Sequence, residues 1–309
     1  MLHATAVRLR GATLVFLAFV ASAPSGALSA QSSRRVDAAR LIADVETLSS
    51  PAMQGRRTGT DGNRRARTFI ASRFRQLGLT PLAATYEQRF TFDGRRAANL
   101  VGMVRGTASP DELLLLTAHY DHLGVRNRVL HPGADDNASG VAAMLQAAAY
   151  VARHPLRRSV VFVAFDAEEQ GLRGAKHFVA SPLVDLKRIR LMVNLDMVSR
   201  NDAATIFAAG TSYHPELKEV VNRAAEGRHL KVLFGHDRPA KEAGGAADWT
   251  QQSDHGPFHT AGVRTLYYGV EDHADYHKPT DTADRIPRAF FTEVAELVIA
   301  TLIAADRSP

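Results

Sequence analysis

The 309-residue sequence contains no cysteine, and this absence excludes several kinds of chemistry at once. The chain forms no disulfide, has no thiolate nucleophile, and can bind a metal only through nitrogen and oxygen ligands. A lipid-modified cysteine at a processed amino terminus is excluded as well. If the protein is exported, its stability therefore depends on its hydrophobic core and on any metal that it binds.

The sequence also lacks an apolar run of the roughly 18 or more residues that a membrane-spanning helix needs. The apolar stretch at residues 12–21 is shorter, follows Arg8 and Arg10, and precedes a series of small residues. This order is typical of a secretory signal peptide, with an uncleaved membrane anchor as the alternative. We predict a signal peptide at residues 1–30, cleaved somewhere within residues 23–31.

A signal peptide implies that the mature protein, residues 31–309, is secreted or periplasmic and has no stable membrane association after cleavage. No linker, internal repeat or change of composition divides this part of the sequence, so we expect one domain. The formal net charge is +6, but the basic residues are scattered and are not interleaved with aromatic residues. Since a nucleic-acid-binding surface concentrates its basic residues on one face, we expect no nucleic-acid partner.

Apolar runs alternate with segments of helical spacing along the mature chain. Continuous apolar runs predict buried strands at residues 112–118, 159–165, 191–195 and 263–270. Further strands are predicted at 86–92 and 98–104, and helices at 36–48, 64–77, 140–151, 214–225 and 288–305. The alternation predicts an α/β fold: a single domain with a central, mostly parallel mixed β-sheet flanked by helices on both faces.

Histidines and carboxylates follow each of the four buried strands. Because ligands of open α/β sheets bind at the carboxyl ends of the strands, we expect these side chains to converge on one edge. Without cysteine, imidazole and carboxylate are the groups that suit zinc or a similar divalent cation. The candidates are His119, Asp121, Glu168, Glu169, Asp196, His273 and His277, with the acidic segment 133–140 beside them.

Six short motifs contain these residues. They are HYDHLG (119–124), GADDNASG (133–140), DAEEQGLRG (166–174), NLDMV (194–198), SDHGPF (253–258) and YHKPTDTADRI (276–286). In this order they resemble the M28-type co-catalytic zinc exopeptidases, which are bacterial aminopeptidases with relatives among glutamate carboxypeptidases and glutaminyl cyclases. The resemblance covers residues 36–305, and it implies a phosphorylase/hydrolase-like zinc-exopeptidase catalytic domain over residues 31–309.

The resemblance implies two divalent cations, zinc in the family, with cobalt and manganese as alternatives. His119 and Asp196 would hold one cation and Glu169 and His277 the other. Asp135 would bridge them, since a carboxylate can offer one oxygen to each of two cations about 3.5–4 Å apart.

The resemblance also assigns two supporting roles and a backbone feature. Glu168 would be the general base, taking a proton from the attacking water and returning it to the departing amine. Asp121 would accept the proton of the His119 ring nitrogen that faces away from the metal, which fixes the tautomer. The peptide bond after the bridging aspartate is cis in the family, which predicts a cis bond at Asp135–Asp136.

Some assignments stay open at this stage. His273 lies four residues before His277, and on a helix both could face one cation, although the residues after His277 favour a loop and the family pattern favours His277. In SDHGPF, Asp254 either contributes hydrogen bonds at the rim of the site or, with Ser253, caps a short helix. Four further histidines are expected at the surface or in supporting positions: His122, His131, His236 and His259.

The leading hypothesis is an aminopeptidase that releases N-terminal residues from peptides. A complete set of implied ligands and the intact Glu168 favour an enzyme over a non-catalytic binding ectodomain of the same fold. Residues 94–112 and 123–135 leave no room for the specificity domain of larger carboxypeptidase relatives. A carboxypeptidase or glutamyl-peptide hydrolase with the same site is the alternative, and a single-zinc glutaminyl cyclase is a more distant one.

Overall fold

The structure is a computed structural model that describes residues 1–3, 35–239 and 241–308. Residues Arg35–Pro309 form one compact unit. The predicted signal peptide falls almost entirely on residues 4–34, which lie outside the described residues, so it stays a prediction. Within the described parts of the chain, no helix has the length and apolar character needed to cross a bilayer.

The α-helices are α1 (Ala38–Leu48), α2 (Asp61–Gln76), α3 (Gly140–Arg153), α4 (Arg173–Ala180), α5 (Leu217–Ala225), α6 (His255–Thr260) and α7 (Arg288–Arg307). The strands are β1 (Thr80–Pro81), β2 (Glu87–Phe92), β3 (Arg95–Val104), β4 (Ser109–His119), β5 (Gly124–Arg126), β6 (Val129–His131), β7 (Arg158–Phe165), β8 (Ile189–Leu195), β9 (Thr205–Ala209), β10 (Lys231–Phe234) and β11 (Thr265–Gly269). Every strand and helix expected from the apolar pattern is present, with each end within three residues of its predicted position. The short elements β1, β5, β6, β9, β10, α4 and α6 were not predicted.

A nine-stranded mixed sheet forms the centre of the domain. Its strand order is β1-β3-β7-β4-β8-β11-β9-β10, with β2 paired to β3, and β5 and β6 form a separate hairpin. The neighbours β7, β4, β8 and β11 are mutually parallel, whereas β3 and β9 run antiparallel to β7 and β11. The predicted fold class, an α/β domain with a central mixed sheet, is confirmed. Because the four middle strands are parallel, their carboxyl ends lie at the same edge.

Strand β4 shows why the central runs are apolar throughout. Its side chains alternate between two faces, and both faces are covered. Leu114 and Leu116 belong to the larger core, which includes α1, α2, α3, α5 and α7. Leu113 and Leu115 pack on the opposite side, where α4 contributes Phe178. The prediction of helices on both faces is therefore confirmed, and the polar residues that follow β4 mark the point where the strand leaves the core.

A buried arginine joins the loops at this edge of the sheet. Arg56 is fully buried, and its guanidinium donates hydrogen bonds to the backbone carbonyls of Leu48, Tyr120, Pro132 and Gly133 at 2.7–2.8 Å. Burial lowers the pKa of Arg56 to about 10, so the side chain stays charged near neutral pH. The loop after β4 and the loop before α3 are thereby fixed against each other.

We predict that Arg56→Met destabilises the metal-free protein by on the order of 3 kcal/mol, because several buried carbonyls lose a charged donor that methionine cannot replace. Urea unfolding followed by circular dichroism measures the effect. Arg57→Met is the matched control, since Arg57 is the next residue and is partly exposed. Equal losses in the two variants would contradict the role given to Arg56.

Candidate metal centre

The carboxyl edge of the sheet brings the candidate residues together. His119 is the last residue of β4, Asp196 follows β8, and the turn after β7 carries Glu168 and Glu169. The loop between β11 and α7 approaches from the side and supplies His277. The edge therefore gathers side chains from segments that are far apart in the sequence.

The first group of donors surrounds His119. Its Nε2 atom lies 3.1 Å from Asp196 Oδ1 and 3.4 Å from Asp136 Oδ1. The hydroxyl of Ser253 donates to the other oxygen of Asp196 at 2.8 Å, which fixes that carboxylate. His119, Asp136 and Asp196 place one donor atom each within 4.8 Å of one another, a spacing compatible with one cation.

The second group lies on the other side of Asp136. His277 Nε2 is 3.0 Å from Asp136 Oδ2 and 3.5 Å from Glu169 Oε2. His122 Nδ1 lies 2.8 Å from Glu169 Oε1 and 3.6 Å from Asp136 Oδ2. The donor atoms of His122, Asp136 and Glu169 also lie within 4.8 Å of one another.

Asp136, and not Asp135, lies between the two groups. One carboxylate oxygen of Asp136 faces His119 and the other faces His277. The cis peptide bond is correspondingly at Asp136–Asn137 rather than at Asp135–Asp136. The expectation of a bridging Asp135, with a cis bond after it, was therefore one residue out of register.

The contacts of Asp135 give the physical reason. Its Oδ1 accepts hydrogen bonds from the backbone N–H and the hydroxyl of Ser199, at 2.7 and 2.6 Å. Its Oδ2 lies 3.1 Å from His273 Nε2. Asp135 is fully buried and turned away from the two groups, so its carboxylate already has its partners.

Asp281 fixes the backbone on which the two aspartates lie. Its carboxylate accepts hydrogen bonds from the N–H groups of Asp135 and Asp136, at 3.0–3.1 Å. Burial raises the pKa of Asp281 to about 6, and the neighbouring Asp135 charge adds to the rise. The position of Asp136 is thus set through its backbone as well as through its carboxylate.

The two histidines that the sequence left open lie in different places. His277 lies at the second group, whereas His273 contacts Asp135. His122 was expected at the surface or in a supporting position, but it is fully buried and contacts the second group directly. Its only sequence signal was its place in the HYDHLG motif, three residues after His119.

Asp121 acts on a different neighbour from the one expected. The Nδ1 atom of His119 lies 3.2 Å from the backbone oxygen of Asp121 and 3.8 Å from its carboxylate, so the carbonyl is the closer acceptor. The Asp121 carboxylate instead accepts the backbone N–H of Glu168 at 3.0 Å and the hydroxyl of Thr58 at 3.3 Å. Burial raises the pKa of Asp121 well above its usual range. Asp121 therefore positions the turn that carries Glu168.

Asp166 also fixes the turn after β7. It is fully buried, and burial raises its pKa, while the hydrogen bonds that it accepts lower it. The donors to its carboxylate are Thr58 Oγ1, Asn63 Nδ2, Ala98 N, Tyr120 Oη and Ala167 N. This carboxylate has no free position for a cation and holds β3, α2 and the turn after β7 together.

Ser253, Asp254 and His255 close the side of the site next to Asp196. Asp254 precedes α6 but makes no capping hydrogen bond, whereas Ser253 contacts Asp196. Both carboxylate oxygens of Asp254 are buried without a hydrogen-bond partner in the described residues. Burial raises the pKa of Asp254 to about 7 and lowers that of His255 to about 4, so burial disfavours the charged form of both side chains.

Comparisons with known proteins agree with the motifs. The family model described as Peptidase family M28 matches residues 99–302. Aminopeptidase YwaD from Bacillus subtilis (strain 168) is 30% identical over 226 residues, which cover 69% of this chain and 46% of YwaD. The chain thus spans about half the length of the curated relatives that it matches.

Solved structures share the fold. BSAP, a zinc aminopeptidase from Bacillus subtilis, matches with a TM-score of 0.69 and 20% identity over 86% of this chain and 94% of its own. A glutaminyl cyclase from Porphyromonas gingivalis matches with a TM-score of 0.72 and 22% identity, over 87% and 99%. At such identities the likeness concerns the fold alone. The match of the family model over most of the chain identifies the protein as a member of peptidase family M28.

Proposed function

We propose that this protein is a two-metal exopeptidase that removes N-terminal residues from peptides. The observation that carries the proposal is the place of Asp136, whose two carboxylate oxygens face two separate groups of imidazole and carboxylate donors. A bridging carboxylate is the arrangement that two neighbouring cations need.

The residues present fit two divalent cations. Both ring nitrogens of His122 and Oε1 of Glu169 are buried without a hydrogen-bond partner in the described residues, and such atoms are costly unless something satisfies them. Nitrogen and oxygen donors at this spacing suit zinc, and relatives of the chain are described as zinc metalloproteases. Cobalt and manganese are chemically acceptable alternatives.

The assignment of ligands follows the two groups. His119 and Asp196 would hold one cation, Glu169 and His277 the other, and Asp136 would contribute one oxygen to each. When bound, the cations would polarise the substrate carbonyl and lower the pKa of a water molecule.

Glu168 is the residue proposed to move the proton. Its backbone is held by Asp121, and its side chain is only partly exposed beside the first group. Burial raises the pKa of Glu168 well above its usual range; the His119 charge opposes this rise and the Asp196 charge adds to it. A carboxylate so placed can accept a proton from the attacking water and return it to the departing amine.

The charges around the site favour a substrate with a free amino terminus. Within the described residues, no arginine or lysine side chain pairs with the carboxylates of either group. Glu168 and Asp254 add two carboxyl groups beyond those assigned to the cations. Burial favours their neutral forms, and an ammonium group beside them would favour the ionised forms, which would in turn repel a free carboxyl terminus. The relative YwaD is also described as an aminopeptidase.

We also propose that the protein is exported. The order of residues 1–30 is that of a signal peptide, which would place the catalytic domain of residues 31–309 in the periplasm or outside the cell. A site that needs no thiolate is compatible with an oxidising compartment, since it contains nothing that would form a disulfide there.

We predict that Glu168→Gln lowers kcat by about 100-fold to 10,000-fold and leaves the metal content unchanged, because glutamine removes the proton acceptor but no assigned ligand. Turnover of an aminoacyl nitroanilide and elemental analysis of the same sample measure the two quantities. Glu46→Gln, an exposed glutamate on α1, is the matched control and should keep wild-type activity. Unchanged turnover in Glu168→Gln would remove Glu168 from its assigned role.

We predict that the purified protein hydrolyses aminoacyl nitroanilides and does not hydrolyse N-blocked dipeptides with a free carboxyl terminus. The expected preference follows from Glu168 and Asp254, whose carboxyl groups an ammonium group would ionise and then attract. Release of free amino acids, followed by mass spectrometry, separates the two activities. Activity on the N-blocked substrates alone would favour the carboxypeptidase alternative, and loss of ammonia from a glutaminyl peptide would favour a cyclase.

A further inference from the structure

His122 lies against the second group of donors, although none of the roles assigned so far uses it. Its side chain is fully buried, and its Nδ1 atom is within 4 Å of one carboxylate oxygen each of Glu169 and Asp136. The ring centroid of His122 is 5.8 Å from that of His277, with the planes at 60° to each other. Two imidazoles therefore approach the same pair of carboxylates from different directions.

The contact between His122 and Glu169 is not a hydrogen bond. Nδ1 and Oε1 are 2.8 Å apart, yet their directions are wrong for one, and neither atom has another hydrogen-bond partner in the described residues. Two atoms with lone pairs that lie close together without pointing at each other are typical of ligands aimed at a common centre. A buried imidazole with both nitrogens unsatisfied otherwise has no physical compensation.

The ring of His122 is also held in place. Gly133 lies against it so closely that a Cβ at that position would be 2.5 Å from ring atom Cδ2. Gly133 has a φ of 61°, and its carbonyl accepts a hydrogen bond from Arg56, so it is fixed in turn. The imidazole therefore cannot rotate away without displacing backbone that the arginine holds.

We propose that His122 is an additional ligand, through Nδ1, of the cation held by Glu169 and His277. This inference rests on the proposed function, because it concerns the same two-metal site. The second cation would have four protein donors, with Glu169 lying between the two imidazoles, whereas the first would have three from His119, Asp136 and Asp196. Because more donors bind a cation more tightly, the two positions would differ in affinity, with the second filled first and emptied last by a chelator.

The alternative role for His122 is to position Glu169 by donating a hydrogen bond to it. A cysteine substitution separates the roles, since a thiolate is a good metal ligand and a poor hydrogen-bond donor. Nδ1 is the ring nitrogen nearer to the backbone, and metal–sulfur bonds are longer than metal–nitrogen bonds, about 2.3 Å against about 2.0–2.1 Å for zinc. The Sγ of a cysteine at this position can therefore reach the cation that Nδ1 would bind.

The test is the absorption spectrum of His122→Cys loaded with Co²⁺. Because the natural chain has no cysteine, a thiolate-to-cobalt charge-transfer band in the near ultraviolet can arise only from the new residue. We expect this band in His122→Cys and not in His229→Cys, a control at an exposed histidine. A folded His122→Cys protein that binds cobalt without the band would overturn the inference.

A second variant decides the question if His122→Cys does not fold. In His122→Gln the amide can still donate a hydrogen bond to Glu169 but is a weak ligand. Titration with Zn²⁺ should show the affinity of one of the two sites lowered by more than about 100-fold, since the loss of a merely supporting partner costs roughly 10–100-fold. A smaller loss would assign His122 a positioning role and overturn its role as a ligand.

A failure of the His122 inference can be distinguished from a failure of the proposed function. If the wild-type protein bound fewer than two Co²⁺ ions or hydrolysed no peptide, the two-metal exopeptidase would be rejected. The charge-transfer band of His122→Cys would still report whether residue 122 binds a cation.

Discussion

The geometry of the site depends on the hydrogen bonds that the guanidinium of Arg56 donates to backbone carbonyls. Among the residues that the structure describes, no carboxylate pairs with this guanidinium, which donates to carbonyls of the loop after β4 and of the loop before α3. His119 directly precedes the first of these loops and Asp136 lies in the second, and the two side chains face each other at 3.4 Å. A carbonyl is a weaker partner for a cation than a carboxylate, but several together compensate the buried charge and fix two backbones at once.

The carboxylates of Asp166 and Asp121 fix the turn after β7. Asp166 and Asp121 both bind Thr58, and between them they hold the backbone N–H groups of Ala167 and Glu168. Neither carboxylate faces the donors of the two groups as a ligand. The geometry of the site therefore depends on buried acids that belong to neither group of donors, and their raised pKa values reflect the absence of solvent around them.

The fold could be predicted from the sequence because the parts of a strand that are covered on both faces must be largely apolar, and β4, β7, β8 and β11 each contain such a run. The strands β9 and β10 were missed because they are short and partly exposed, so their apolar pattern is weak. Asp135 and Asp136 have the same side chain, and only the path of the backbone decides which carboxylate faces the two groups of donors. His122 was missed for a related reason, since nothing in a motif shows which way a loop side chain points.

The two groups differ in their access to solvent, and this difference bears on the kind of peptidase that the site can be. His119 is 1% exposed and lies behind Asp196, next to the buried residues Ser253–His255 that precede and begin α6. His277 is 37% exposed, so solvent reaches the site from its side. In the proposed exopeptidase, a peptide would enter from the side of His277, and the buried segment Ser253–His255 beyond Asp196 would limit how far it extends. That arrangement would admit a chain end between the two groups more readily than the middle of a chain, which is the steric requirement of the proposed exopeptidase.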